Sequence, residues 1–180
     1  MNVAARRELA WSWIATVVLV TLNLRPFLTA GGPLAPAIAR TGAQTLASLA
    51  WLTLLPMMLM GVGTWLAPAV QQRIGARVTV TLGLALLVGG NLMRLAPAQL
   101  IASAAVCGVA VALVQGVLPG LIKLHSPHHV ALLTGLYSAA LMAGGALGAQ
   151  LSPLALQHGL DWTGALALWA LPAALALGFA

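Results

Sequence analysis

The 180-residue sequence is 61% hydrophobic and only 6% charged, with two acidic residues and a net charge of +6. Soluble domains carry about a quarter charged residues, so this balance excludes a water-soluble fold and points to an integral, multi-pass membrane protein. The eight basic residues are scattered between apolar runs, which suits membrane topology and argues against nucleic acid as a partner, while the single cysteine, Cys107, excludes an internal disulfide framework.

Six apolar spans are predicted, at roughly 12–38, 46–70, 78–94, 98–121, 130–153 and 162–180. The first run is too long for a cleavable signal. Within it, Leu22-Asn23-Leu24-Arg25-Pro26 sets an amide and a guanidinium into apolar sequence. Counting from Trp11 and Trp13, which suit a membrane–water interface, Arg25 lies roughly 17 Å along the helix, near mid-bilayer. A charge there costs at least about 2.5–3.5 kcal/mol on insertion scales, so it should face protein or a wet cavity. Pro26 leaves the Leu22 carbonyl without its helical donor. On a continuous helix Thr21, Arg25, Thr29 and Gly32 share one stripe, read as cavity-lining, and Asn23 points the other way as glue to a neighbouring helix. The alternative is an arginine that snorkels to a headgroup or serves as a structural tie. A kink is expected at the far end of this span, at Gly31-Gly32-Pro33 and Pro36.

In the second span Met57, Met58 and Met60 follow Pro56, a pattern that suits adaptable apolar packing. In the fourth, Ala104, Gly108, Ala112, Gly116 and Gly120 recur every four residues; in the fifth, Ala140, Gly144, Gly148 and Ser152 do so, flanked by Gly145 and Ala149. Small residues at this spacing let helix backbones approach closely, either as a static seam or as one along which helices rock. Gln115, Tyr137 and Ser138 are polar groups inside these spans, candidates for the same cavity as Arg25 or for interhelical hydrogen bonds. His125, His128, His129 and His158 fall in predicted loops, read as solvated or headgroup-facing. No histidine lies in a span and no Gly-x-Ser-x-Gly stretch occurs, so an intramembrane protease is disfavoured, no enzyme activity is expected, and no cofactor or metal is assigned. The sixth span stops without a basic or polar anchor, which suggests the front portion of a longer protein.

With these residues placed, the chain resembles the N-terminal six-helix half of a major facilitator superfamily transporter, and within it the cyanate and 2-nitroimidazole transporter family. The resemblance rests on Leu22-Asn23-Leu24-Arg25-Pro26 running on to Gly32-Pro33-Leu34, and on Val117-Leu118-Pro119-Gly120-Leu121-Ile122-Lys123. Thr134-Gly135-Leu136-Tyr137-Ser138 and Ala167-Leu168-Trp169-Ala170-Leu171-Pro172 add to it. It implies an all-α fold of two inverted three-helix repeats spanning 1–180, in the cell inner membrane, lacking the second half between which and itself a solute is held. Implied partners are a small anionic or polar heterocyclic solute, the lipid bilayer, and a second six-helix half or another copy. Implied solute-binding residues are Arg25, Asn23, Thr29, Gln115 and Tyr137. Arg73, Gly75 and Arg77 match the family's gating loop, with Pro68 and Gln72 where a glycine and an aspartate are usual. Gly108, Gly116, Gly144, Gly145 and Gly148 match packing positions, Gly145 standing where a proline is usual. An inactive or assembly-only membrane fragment is the competing reading.

Orientation follows from the loop charges. Arg6, Arg7, Arg73, Arg77 and Lys123 fall on one side and Arg40 and Arg94 on the other, five against two, so both termini are expected in the cytoplasm. Cysteine labelling at Gln44 and Gln157 should accordingly react from outside the cell. Labelling of both from the cytoplasmic side would overturn this orientation.

Overall fold

The computed structural model describes residues 11–42 and 45–179. Arg6, Arg7 and Gln44 of the topology argument and the terminal Ala180 lie outside these residues. Six helical spans are each long and apolar enough to cross a membrane: Trp11–Arg40, Ala47–Ile74, Ala76–Met93, Pro97–His125, Val130–Gln157 and Trp162–Phe179. No strand occurs among the described residues, so the fold is the expected all-α six-helix membrane fold.

Span one is not one helix. It comprises α1 (Trp11–Leu22), α2 (Pro26–Thr29) and α3 (Gly31–Arg40). The main break therefore lies at residues 23–25, ahead of the expected kink at Gly31-Gly32-Pro33 and Pro36. Proline is well suited to the first helical position, where its missing N–H costs nothing, so Pro26 begins a new helix instead of bending an old one. Pro33 likewise falls in the first turn of α3 and causes no further break. Spans two to five are the single helices α4 (Leu46–Ile74), α5 (Ala76–Met93), α6 (Leu100–His125, after a 3-10 turn at Pro97–Gln99) and α7 (Val130–Gln157). Span six divides into α8 (Trp162–Ala167) and α9 (Ala170–Phe179), a break ahead of Pro172 that the apolar pattern did not announce.

The connection between α4 and α5 is the single residue Gly75, so Arg73 and Arg77 sit in the flanking helical turns and not in a loop. Gly75 has φ 86° and ψ 155°, a conformation open essentially to glycine alone. At the opposite end of the bundle Asp161 caps α8. Its Oδ1 accepts from the Gly164 N–H at 2.9 Å and its Oδ2 from the Thr163 hydroxyl. The Thr163 bond, with that of Gly164, holds the Asp161 carboxyl below the usual carboxylate range. Trp13 in α1 stacks against His125, their ring centroids 5.2 Å apart, which sets the start of span one beside the end of span four. His125 is thus the last residue of α6, its Nδ1 near the Leu121 carbonyl at 3.1 Å, and not a loop residue.

Two apolar cores stack along the bundle. The larger gathers Val17, Val20, Leu24 and Phe27 with Leu84, Leu87, Val111, Val117 and Ala173. The smaller joins Ala30, Leu34 and Ile38 to Leu52, Leu100, Ala104, Trp162, Leu166 and Trp169. Span one passes from the larger core to the smaller at its second break, near Ala30, and span six from the smaller to the larger near its break at Leu168–Trp169; α6 runs unbroken through both. The Trp169 indole N–H donates to the buried Ser152 hydroxyl of α7 at 2.9 Å and fixes the break in span six.

The small-residue seams have separate partners. That of α6 lies on α4: a Cβ on Gly108 would stand 2.8 Å from Pro56 Cα, one on Gly63 2.6 Å from Ala112 Cβ, and one on Gly116 3.1 Å from the Thr64 carbonyl. That of α7 lies on the break in span one. A Cβ on Gly144 would overlap the Leu22 carbonyl oxygen, and one on Gly148 would stand 2.6 Å from Pro26 Cα. Gly120, by contrast, faces open space. Gly144→Ala should therefore destabilise the fold by about 1–3 kcal/mol through overpacking. Gly120→Ala should be neutral or gain some of the ~1 kcal/mol helix preference of alanine. Thermal unfolding in detergent measures both; equal midpoints would refute the close approach at Gly144.

Candidate functional site

The break in span one decides where its polar groups go. Pro26 has no N–H, so the Leu22 carbonyl lacks its helical donor, and instead a Gly144 Cα–H faces that oxygen. The Asn23 and Leu24 amides close the last turn of α1 on the Val20 and Thr21 carbonyls, at 3.2 and 3.0 Å. Arg25 becomes the N-cap of α2, and its carbonyl accepts from Leu28 and Thr29 N–H at 3.0 and 3.2 Å. The stripe expected of a continuous helix is accordingly broken. Thr21 is fully buried and donates to the Val17 carbonyl at 2.6 Å. Asn23 is also buried, and its Nδ2 donates to the Leu19 carbonyl of its own helix at 2.7 Å, not across to a neighbour. It acts as an internal cap of α1.

Arg25 is half-buried and packs on the α7 seam. Its Cβ and Cδ each lie 3.7 Å from where a Cβ on Gly145 would stand, an ordinary contact distance that sets the Arg25 stem directly against α7. The Arg25 Nε is buried with no hydrogen-bond partner. Tyr137, half-buried two turns before Gly144 on α7, lies within the electrostatic reach of the Arg25 guanidinium. Thr29 touches the same seam through Gly148, but its hydroxyl is held in its own turn, against the Arg25 and Pro26 carbonyls at 3.3 and 3.4 Å. The structure therefore brings Arg25, Thr29, Tyr137, Gly144, Gly145 and Gly148 together. Asn23 is turned into its helix. Gln115 is half-buried on α6, with no hydrogen bond to Arg25 among the described residues. Arg73, Gly75, Arg77, Gly108 and Gly116 stand elsewhere, at the α4–α5 turn and on the α4–α6 seam.

A second arginine belongs to the break. Arg94, assigned from sequence to a loop as a topology charge, is only 3% exposed. From the C-cap of α5 its Nη1 donates to the Phe27 carbonyl at 2.9 Å, and its guanidinium carbon sits 5.7 Å from the Phe27 ring centroid. The Phe27 carbonyl lies where α2 gives way to α3, and a helix end leaves carbonyls in need of outside donors. The signal was present in sequence. Arg94 follows the buried Asn91 by three residues, on one helical face, inside the apolar run Leu92-Met93-Arg94-Leu95-Ala96.

No protein-family model matches the chain. It is 41% identical over 171 residues to the cyanate transport protein of Escherichia coli (strain K12), a match covering 91% of this chain and 44% of that protein. It is 38% identical over 156 residues to the 2-nitroimidazole transporter of the same organism, covering 85% and 39% respectively. The transporter YycB of Bacillus subtilis (strain 168) is 34% identical over 169 residues, covering 92% and 42%. The chain thus spans about two fifths of the length of these relatives, as the N-terminal six-helix half of such a protein would. Its homologues over about nine tenths of its length are therefore transporters of the major facilitator superfamily, among them the cyanate and 2-nitroimidazole transporters.

Proposed function

We propose that the chain forms one half of a secondary transporter in the cell inner membrane, with both termini cytoplasmic. With a second six-helix half or another copy it moves a small anionic or polar heterocyclic solute by alternating access. The names of its relatives support cyanate-like and nitroimidazole-like solutes as the class. The observation that carries the reading is Arg25 itself. It is a guanidinium deep in an apolar span, half-buried, its Nε unpartnered, with no carboxylate facing it among the described residues. Asp161, the acidic residue among these, has both oxygens engaged at the α8 cap. A buried charge left without a protein partner is costly, and a bound anion or acceptor-rich ring offsets that cost through two parallel N–H donors. In this reading Tyr137 supplies a third donor beside it, and the glycines of α7 let both approach the same space. The chain binds and moves its solute without changing it.

The test needs a complete transporter, made by joining or co-expressing a second half, with solute binding and membrane yield measured together. Arg25→Lys should insert normally yet lose roughly ten- to hundredfold in affinity, the worth of about 1.5–3 kcal/mol in charged hydrogen bonds. Arg25→Ala should reach the membrane at least as well as the unaltered chain and show no measurable binding. If Arg25 is only a structural tie, Arg25→Ala lowers the yield and the surviving protein binds normally. Unchanged affinity in well-folded Arg25→Ala protein would overturn the reading.

A further inference from the structure

Arg94 lines a cavity of about 60 Å³ at the junction of the two cores, and Arg25 is not part of its lining. Its apolar wall is formed by Phe27, Leu52, Leu100 and Leu166, and Thr53 adds a hydroxyl. On the α3 side Gly31 and Gly32 line the cavity, and a Cβ on either would meet nothing within 4 Å. One Arg94 donor is used on the Phe27 carbonyl, but Nε is buried without a partner, in a side chain that is 97% removed from solvent (3% exposed). A guanidinium carries five N–H donors and does not deprotonate in proteins, so this charge is permanent. No carboxylate pairs with it among the described residues, since Asp161 is engaged at its helix cap.

We infer that this cavity is a binding site for a small monovalent anion, held by Arg94. The charge balance asks for a single negative charge, because one guanidinium is left to be matched. The volume admits a few water-sized atoms, which suits a halide or a three- to four-atom anion such as cyanate or nitrate and excludes a long organic acid. The mostly apolar wall favours weakly hydrated anions, because strongly hydrated ones lose more on leaving water. The site stands on Arg94 and its cavity alone. It does not depend on Arg25 gripping the transported solute.

Chloride NMR line width on the purified full chain in detergent, with nitrate as competitor, tests the assignment. A chloride exchanging with the site broadens the line, and nitrate should reverse that excess. The nitrate-displaceable broadening should vanish in Arg94→Gln, and also in Gly31→Val, which adds side-chain bulk at the cavity lining without replacing Arg94 or Phe27. It should persist in Arg40→Gln, whose exposed arginine lies at the same end of the bundle. If Arg94→Gln does not fold, Gly31→Val decides alone. Absence of displaceable broadening in the unaltered chain, leaving a cavity with water only, would overturn the proposal. So would its survival in folded Gly31→Val. A signal lost in Arg25→Gln yet kept in Gly31→Val would also refute the Arg94 site and place the anion at Arg25, leaving the solute-binding proposal standing.

Discussion

A carbonyl oxygen set against a glycine holds the middle of this molecule. Pro26 cannot donate to the Leu22 carbonyl, and a side chain at position 144 would collide with it. In lipid an unsatisfied backbone group costs several kcal/mol, so broken helices persist only where protein covers the break. Here α7 supplies the cover with three glycines in five residues, Gly144, Gly145 and Gly148, each against a different part of the Leu22–Thr29 turn. Arg25 lies against the same stretch of α7, beside Gly145. Site and fold therefore share one cause, the missing donor of Pro26.

The two-core arrangement goes with the second break of span one, at Ala30, and its counterpart in span six. A continuous helix passing both cores would have to keep one apolar face aligned over its whole length, as α6 does from Leu100 and Ala104 in the smaller core to Cys107, Val111, Val114 and Leu118 in the larger. Span one instead re-aims at residues 23–25 and again at Ala30, and span six at Leu168–Trp169. Side chains from distant sequence tie each re-aiming in place: Arg94 donates to the Phe27 backbone carbonyl, and the Ser152 hydroxyl accepts from the Trp169 indole N–H beside the break in span six. Arg94 in turn leaves a charge with donors to spare beside a small cavity, which is why a structural tie and an anion site occupy one residue.

Much of this was legible in the sequence, and the parts that were not have physical reasons. Apolar run length gave six spans, and the four-residue repeats of glycine and alanine named the close-packing positions on α6 and α7. Which helix each seam faced was not legible, since spacing fixes a face but not its partner. Gly31-Gly32-Pro33 and Pro36 announce a kink because glycine and proline together weaken a helix, and span one does re-aim beside them at Ala30; the main break falls earlier, at Pro26, where a proline starts a helix as readily as it ends one. Asn23 was expected to bond a neighbour. Where the helix ends, its own Leu19 carbonyl is the nearer acceptor. Arg94 was counted as a loop charge because span three was ended upon it, and only tertiary packing reveals that the turn after α5 is folded inward.

The most direct test of the central contact is a cross-link between α7 and the turn after Pro26. A Cβ on Gly145 would lie 3.5 Å from Thr29 Cγ2, an atom in the place a cysteine sulfur at position 29 can take, so a small adjustment brings the two sulfurs within bonding reach. In a chain with Cys107 replaced by alanine, the pair Thr29→Cys with Gly145→Cys should oxidise readily in membranes and yield a linked peptide by mass spectrometry. The control pair Thr29→Cys with Gly135→Cys, ten residues earlier on α7, should not, because about 15 Å of helix separates the two glycines. Linking at Gly135 in preference to Gly145, or no linking at either, would contradict the packing of α7 on the broken span and with it the placement of Arg25.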